Sequence, residues 1–113
     1  MKWVYCTVIK EGYHKWEGAK AYPEVSYLAD KHRHLFHYKI SVSVEGNDRE
    51  IEFIMLKHKM EKFISSAFSV DDMGSCESQA ERIVEELKVM YPHRDYKVQV
   101  SEDGENGSIV ESE

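Results

Sequence analysis

Cysteine and long apolar runs are scarce in this chain of 113 residues, and its 15 basic residues are outnumbered by 21 acidic ones. Its two cysteines, Cys6 and Cys76, lie in unrelated contexts without Cys-x-x-Cys spacing, so we expect two reduced thiols rather than a disulfide framework. No apolar run is long enough to span a membrane, and the first six residues are typical of a strand rather than of a signal peptide. These features predict a cytoplasmic protein without a membrane partner.

The net charge of the chain is evidence against a nucleic-acid partner. The formal net charge is −6 at pH 7 and the pI is about 5.5, whereas a general nucleic-acid binder normally carries a basic face. We therefore expect no nucleic-acid partner. The length favours a single domain over residues 1–113 with a modest core, and the acidic tail at 108–113 is expected to fray.

Three strands are predicted in the first half of the chain. Residues 3–10 and 32–45 are rich in β-branched and aromatic side chains, and residues 49–55 alternate apolar and polar positions after a predicted hairpin turn at 46–48. The connection at 11–31 has no clear periodicity. A loop of this length in a small domain is usually functional or ordered by something else.

Two helices and a last strand are predicted in the second half. Ser75 is a suitable cap for the second helix, Tyr91-Pro92 ends that helix, and residues 96–102 follow as a strand. The order is then β-β-β-α-α-β, an α+β fold with one antiparallel sheet packed under two helices. The apolar stripes that define the helices are Leu56, Met60, Phe63, Ile64 and Ala67, and then Ala80, Ile83, Val84, Leu87 and Met90.

Three histidines form the most informative pattern in the chain. His32 and His34 are two residues apart on a predicted strand, so their side chains point to the same face. His14 ends another strand-like stretch and could complete a three-histidine site. Three neutral imidazoles leave a fourth tetrahedral position open, which is typical of catalytic zinc. The alternative is that the pair is merely polar and adjoins an apolar run.

These histidines belong to a longer series of landmarks. In chain order it comprises His14, the His32/His34 pair, Leu56-Lys57 at the start of the first helix, a polar helix cap at 75–78, and Glu102 with Gly107 five residues later. In this order the chain resembles the family of 6-pyruvoyl-tetrahydropterin synthase and 6-carboxy-tetrahydropterin synthase, members of the tunnelling fold. The resemblance covers nearly the whole chain and implies a further short strand at Ser108-Ile109-Val110 after Gly107.

The resemblance implies a zinc ion on His14, His32 and His34 and a pterin- or purine-type ligand held by Glu102. A carboxylate can accept two parallel N–H bonds from the amidine edge of such a ring. It also implies a homo-hexamer or related ring with ligand pockets between subunits, and a substrate like dihydroneopterin triphosphate. Glu102 could instead be a solvated carboxylate at a strand end.

Cys76 is a second candidate for ligand binding. At the start of a helix, the exposed N–H groups would lower its thiol pKa. The alternative is that it is a small core filler.

Two features of the family are missing from the sequence. No cysteine occurs at 26–31, just before the His-x-His pair, and no Asp-His pair occurs at 65–72, between the helices. Asp30 is the first candidate for a replacement base, and His58 and His93 are weaker ones. The chain is therefore either a lyase of this type with unusual residues or an inactive homologue that binds or sequesters a pterin, purine or nucleotide-like ligand. A structural oligomer with a vacant pocket is a third possibility.

Overall fold

A four-stranded antiparallel sheet carries two α-helices on one face in the computed structural model, which describes residues 1–113. Two 3-10 helices, Glu17–Ala21 and Pro23–Ala29, occupy the connection between the first two strands. The α+β class is confirmed. The remaining elements are β1 (Lys2–His14), β2 (His32–Val44), α1 (Phe53–Ala67), α2 (Cys76–Met90), β3 (Tyr96–Glu102) and β4 (Asn106–Ser112).

The predicted order β-β-β-α-α-β is wrong, because the chain runs β-β-α-α-β-β and has no strand at 49–55. The side chain of Glu52 accepts a hydrogen bond from the Ile54 N–H at 2.9 Å, and α1 begins at Phe53. An N-cap of this kind satisfies backbone donors that a helix end leaves free. Ile51 is buried, but Phe53 and Met55 are exposed, so the apparent alternation does not correspond to one buried face.

The acidic tail is ordered as a strand, so the expectation that it frays is wrong. The short strand implied at 108–110 is confirmed and is part of β4. β4 pairs antiparallel with β3, from Glu102 opposite Asn106 to Tyr96 opposite Ser112. The turn between them places Asp103 and Gly104 at φ values of 57° and 75°. Asp-Gly favours tight hairpin turns because both residues tolerate positive φ.

The sheet order is β1-β2-β3-β4, and the even-numbered residues of the first three strands face the helices. β1 is longer than predicted and ends at His14. Both predicted helical stripes contain buried residues of their helices, so the prediction that they face the core is confirmed. Ser75 caps α2 by accepting a hydrogen bond from the Ser78 N–H at 3.0 Å. The core joins Phe36, Tyr38, Ile40, Val42, Val98 and Val100 of the sheet to Leu56, Met60, Ile64, Ala80, Ile83 and Leu87 of the helices.

Neither α-helix combines the length and the apolar character needed to cross a membrane.

Candidate metal centre

Three histidines meet at one corner of the sheet, on the face that the helices cover. His14 is the last residue of β1 and pairs directly with His32, the first residue of β2, while His34 follows two residues later. The ring centroids are 4.6 Å, 4.8 Å and 5.1 Å apart. One nitrogen from each ring lies within 4.8 Å of the others, so the group could hold a metal ion. The predicted convergence of these side chains is confirmed.

Backbone carbonyl groups hold two of the rings. His14 Nδ1 lies 2.9 Å from the carbonyl oxygen of Gly74, and His32 Nδ1 lies 2.8 Å from that of Asp30. A carbonyl oxygen can only accept a hydrogen bond, so Nδ1 carries the proton in both rings. Nε2 is then the nitrogen available to a cation.

A carboxylate holds the third ring. Asp103 accepts a hydrogen bond from His34 Nδ1 at 2.8 Å through Oδ2 and one from the Leu35 N–H at 2.8 Å through Oδ1. The bond from Leu35 and then the bond from His34 hold the pKa of Asp103 below its ordinary value. In all three histidines, Nδ1 is thus hydrogen-bonded to an acceptor of the protein.

A buried hydrogen-bond chain fixes the acceptor for His14. The Tyr38 hydroxyl donates to Gln79 Oε1, and Gln79 Nε2 donates to the Gly74 carbonyl oxygen at 3.2 Å. Gln79 is fully buried, and Gly74 has a φ of 83°, which favours glycine. Sequence reasoning missed Gln79 and Asp103. Two features of the sequence could have identified them: Gln79 is a polar residue next to the apolar stripe of α2, and Asp103 begins an Asp-Gly turn.

Glu102 lies against the histidines. Its Oε1 is 3.1 Å from His14 Nε2, and its Oε2 is 3.3 Å from His34 Nε2. It ends β3 opposite Phe36, so it occupies the next strand on the same face as the histidines. His34 Nε2 is buried and has no hydrogen-bond partner. The cluster therefore combines three imidazoles, one carboxylate and one unsatisfied buried nitrogen.

A cleft of about 350 Å³ adjoins the cluster, and its lining includes His14, His32, Glu102, Cys76 and Trp16. The expected lowering of the Cys76 pKa is wrong. Burial raises the pKa of this thiol to about 12, and the nearby carboxylates of Glu102 and Glu77 add to the effect. Loss of solvation is the largest cause of this rise. Cys76 is a neutral thiol within the core that also borders the cleft.

Asp30 lies at the exposed end of the second 3-10 helix, outside the cleft lining. Only its backbone carbonyl contacts the cluster, through His32. The role of its carboxylate as a base stays a prediction.

Comparisons of the chain with protein-family models, with curated proteins and with solved structures found no match.

Proposed function

We propose that the chain binds a zinc ion through Nε2 of His14, His32 and His34. The observation that carries this proposal is the engagement of all three Nδ1 atoms by acceptors of the protein. Histidines that bind metals are commonly oriented in this way, because a bond at the second nitrogen fixes the tautomer and aims the first. Imidazole nitrogen is a ligand that suits zinc. When bound, zinc would supply a Lewis acid beside the cleft.

The adjacent cleft suits a flat heterocyclic ligand of the pterin or purine type. Its volume of about 350 Å³ is within the range of small-molecule sites. Glu102 offers two carboxylate oxygens to an amidine edge, and the indole of Trp16 offers an aromatic surface. These features support membership of the pterin-synthase type with the tunnelling fold, as the order of sequence landmarks implies.

Binding without turnover is the role that the site supports better than lyase chemistry. The Cys76 thiol has a pKa of about 12 and cannot serve as a thiolate near neutral pH. The Asp30 carboxylate is exposed and lies outside the cleft lining. The second candidate function is lyase action on a substrate like dihydroneopterin triphosphate, with the proton taken by Asp30.

An oligomer of identical chains, a hexamer or related ring, is the assembly we propose. β1 and β4 are the two edges of the sheet, and each has one side without a paired strand. Unpaired edges of this kind are sites where strands of another chain add. Asn106, Gly107 and Ser108 of β4 line the cleft, so a neighbouring chain at this edge would border the ligand. Two free, buried thiols are consistent with our proposal of a cytoplasmic location.

Native mass spectrometry with elemental analysis of the same sample tests these proposals. We expect one zinc per chain, a co-purified heterocycle and a ring of identical subunits. His34→Ala should lose the zinc, whereas His58→Ala, which changes an exposed histidine of α1, should keep it. The proposed site would be contradicted if wild-type protein contains no zinc when purified and also fails to bind zinc that is added. Conversion of dihydroneopterin triphosphate by the zinc form would favour the lyase over the binder.

A further inference from the structure

The Glu102 carboxylate has the spacing of a metal ligand. In a tetrahedral zinc site with bonds of about 2.0 Å, neighbouring ligand atoms are about 3.3 Å apart. Glu102 Oε1 lies 3.1 Å from His14 Nε2, and Glu102 Oε2 lies 3.3 Å from His34 Nε2. One nitrogen from each of the three histidines lies within 4.8 Å of the others. The carboxylate oxygens therefore already lie at ligand spacing from two of the three rings.

The same contacts suit a cation once the rings are in the neutral form that binds metals. His14 Nδ1 and His34 Nδ1 donate to Gly74 and Asp103, so in that form each ring presents its lone pair at Nε2. The opposing oxygens of Glu102 are also acceptors. His34 Nε2 is buried and has no hydrogen-bond partner. A cation among these atoms would satisfy both the nitrogens and the carboxylate.

The backbone fixes Glu102 in this position. The next residue, Asp103, donates its N–H to the Leu35 carbonyl oxygen at 2.7 Å and accepts the Leu35 N–H at 2.8 Å. These bonds tie the end of β3 to β2 beside His34. A second carboxylate of the cleft, Glu77, is engaged differently, since it accepts the hydroxyl of Ser108 at 2.8 Å. Glu102 is therefore the carboxylate aimed at the histidines.

We infer that Glu102 is a fourth protein ligand of the metal while the cleft is empty, an inference that rests on the proposed zinc site. The resting site is then closed, with four protein ligands, rather than open at the fourth position. A heterocycle that takes both oxygens of Glu102 removes this ligand. Binding in the cleft thereby exposes a coordination position, so one residue couples recognition of the ring to access to the metal.

Cobalt(II) substitution tests the inference, because the absorption spectrum of cobalt reports its ligands. We would first remove any co-purified heterocycle, so that the cleft is empty, and then load wild type, Glu102→Ala, Glu102→Gln and Glu105→Ala with cobalt. Each is titrated with thiocyanate, a small anion that binds open positions. Glu105 lies in the same hairpin turn and is exposed, so Glu105→Ala is the matched control. Circular dichroism confirms that each variant is folded.

We expect no spectral change with thiocyanate in wild type and Glu105→Ala, and a clear change in both Glu102 variants. Cobalt affinity should fall about 10–100-fold in Glu102→Ala, at least the loss expected for an outer-shell partner. A response in wild type, or the same behaviour in wild type and the Glu102 variants, would overturn the fourth-ligand inference and leave the three-histidine site intact. Failure of wild type to bind cobalt would overturn the metal site itself.

Discussion

The two ends of the sheet both carry polar groups on the same strands, but their groups are satisfied in different ways. At the end distant from the histidines, Arg94 donates to the Ser43 carbonyl oxygen at 3.0 Å and to the Glu50 carboxylate. The Asp95 N–H donates to the Ser43 hydroxyl at 2.9 Å. These protein donors meet protein acceptors. At the histidine corner, by contrast, His34 Nε2 is buried and has no hydrogen-bond partner.

This difference separates a structural polar cluster from a candidate binding site. Buried polar groups normally find hydrogen-bond partners, because an unpaired one costs about 1–3 kcal/mol. The Arg94 cluster follows this rule and ties the start of β3 to β2. The histidine corner departs from it at the atoms that an ion would contact. This unpartnered nitrogen is one of the observations that support the proposed metal site.

The largest effect that tests this contrast is expected from Gln79→Leu. The substitution removes the donor that holds the Gly74 carbonyl and leaves the buried Tyr38 hydroxyl without its acceptor. We expect the free energy of unfolding of the zinc-free protein to fall by about 1–3 kcal/mol. Zinc affinity should fall about 10–100-fold, as for other outer-shell partners of metal-binding histidines. Chemical denaturation and competition with a chelator measure the two quantities.

Gln99→Leu is the control for that variant, because Gln99 is exposed on the outer face of β3. It should leave zinc affinity unchanged. Equal zinc affinity in Gln79→Leu and wild type would show that the buried chain does not orient His14.

A smaller effect is expected from Asp103→Asn. Asparagine tolerates the positive φ of this turn position, so the hairpin should persist. The amide cannot accept both the Leu35 N–H and the His34 ring N–H, so His34 loses part of its support. We expect zinc affinity to fall about 10-fold, the lower end of the outer-shell range. Asp95→Asn, at the opposite end of the sheet, should bind zinc as wild type does in the same titration.

The smallest effect concerns the Arg94 cluster and its dependence on pH. Hydrogen bonds from Arg94 and then Gly46 hold the pKa of Glu50 below its ordinary value of 4.5. A lowered pKa in the folded state means that the carboxylate stabilises the fold above pH 4.5 and that this contribution is lost as pH falls through the folded pKa. The stability difference between wild type and Glu50→Gln should therefore be largest at neutral pH and shrink in acid.

Urea denaturation at neutral pH and at several acidic pH values measures this difference. Glu61→Gln is the control, because the exposed Glu61 carboxylate forms no ion pair. A gap between wild type and Glu50→Gln that stays constant down to strongly acidic pH would show that the ion pair does not contribute. Zinc binding at neutral pH should be unchanged in both variants, which would confirm that the two ends of the sheet act independently.

Local sequence patterns were sufficient to predict most of the helices and strands. The strand at 96–102, the cap at Ser75 and the buried stripes of both helices follow from propensity, capping and periodicity. The segment at 49–55 was misassigned because its alternation is short and competes with a cap at Glu52 and with the helical stripe that begins at Leu56. The Asp-Gly pair at 103–104 was a sufficient signal for the last hairpin.

The sequence by itself determined that His32 and His34 share a face, because strand residues two apart must do so. Only the tertiary structure decided that His14 pairs with His32, since strand register depends on all the pairs between β1 and β2. It also placed Gly74, Asp103 and Glu102 around the rings. These partners lie 60 or more residues away along the chain, beyond the reach of any local pattern, so the packing of the sheet and the helices decides them.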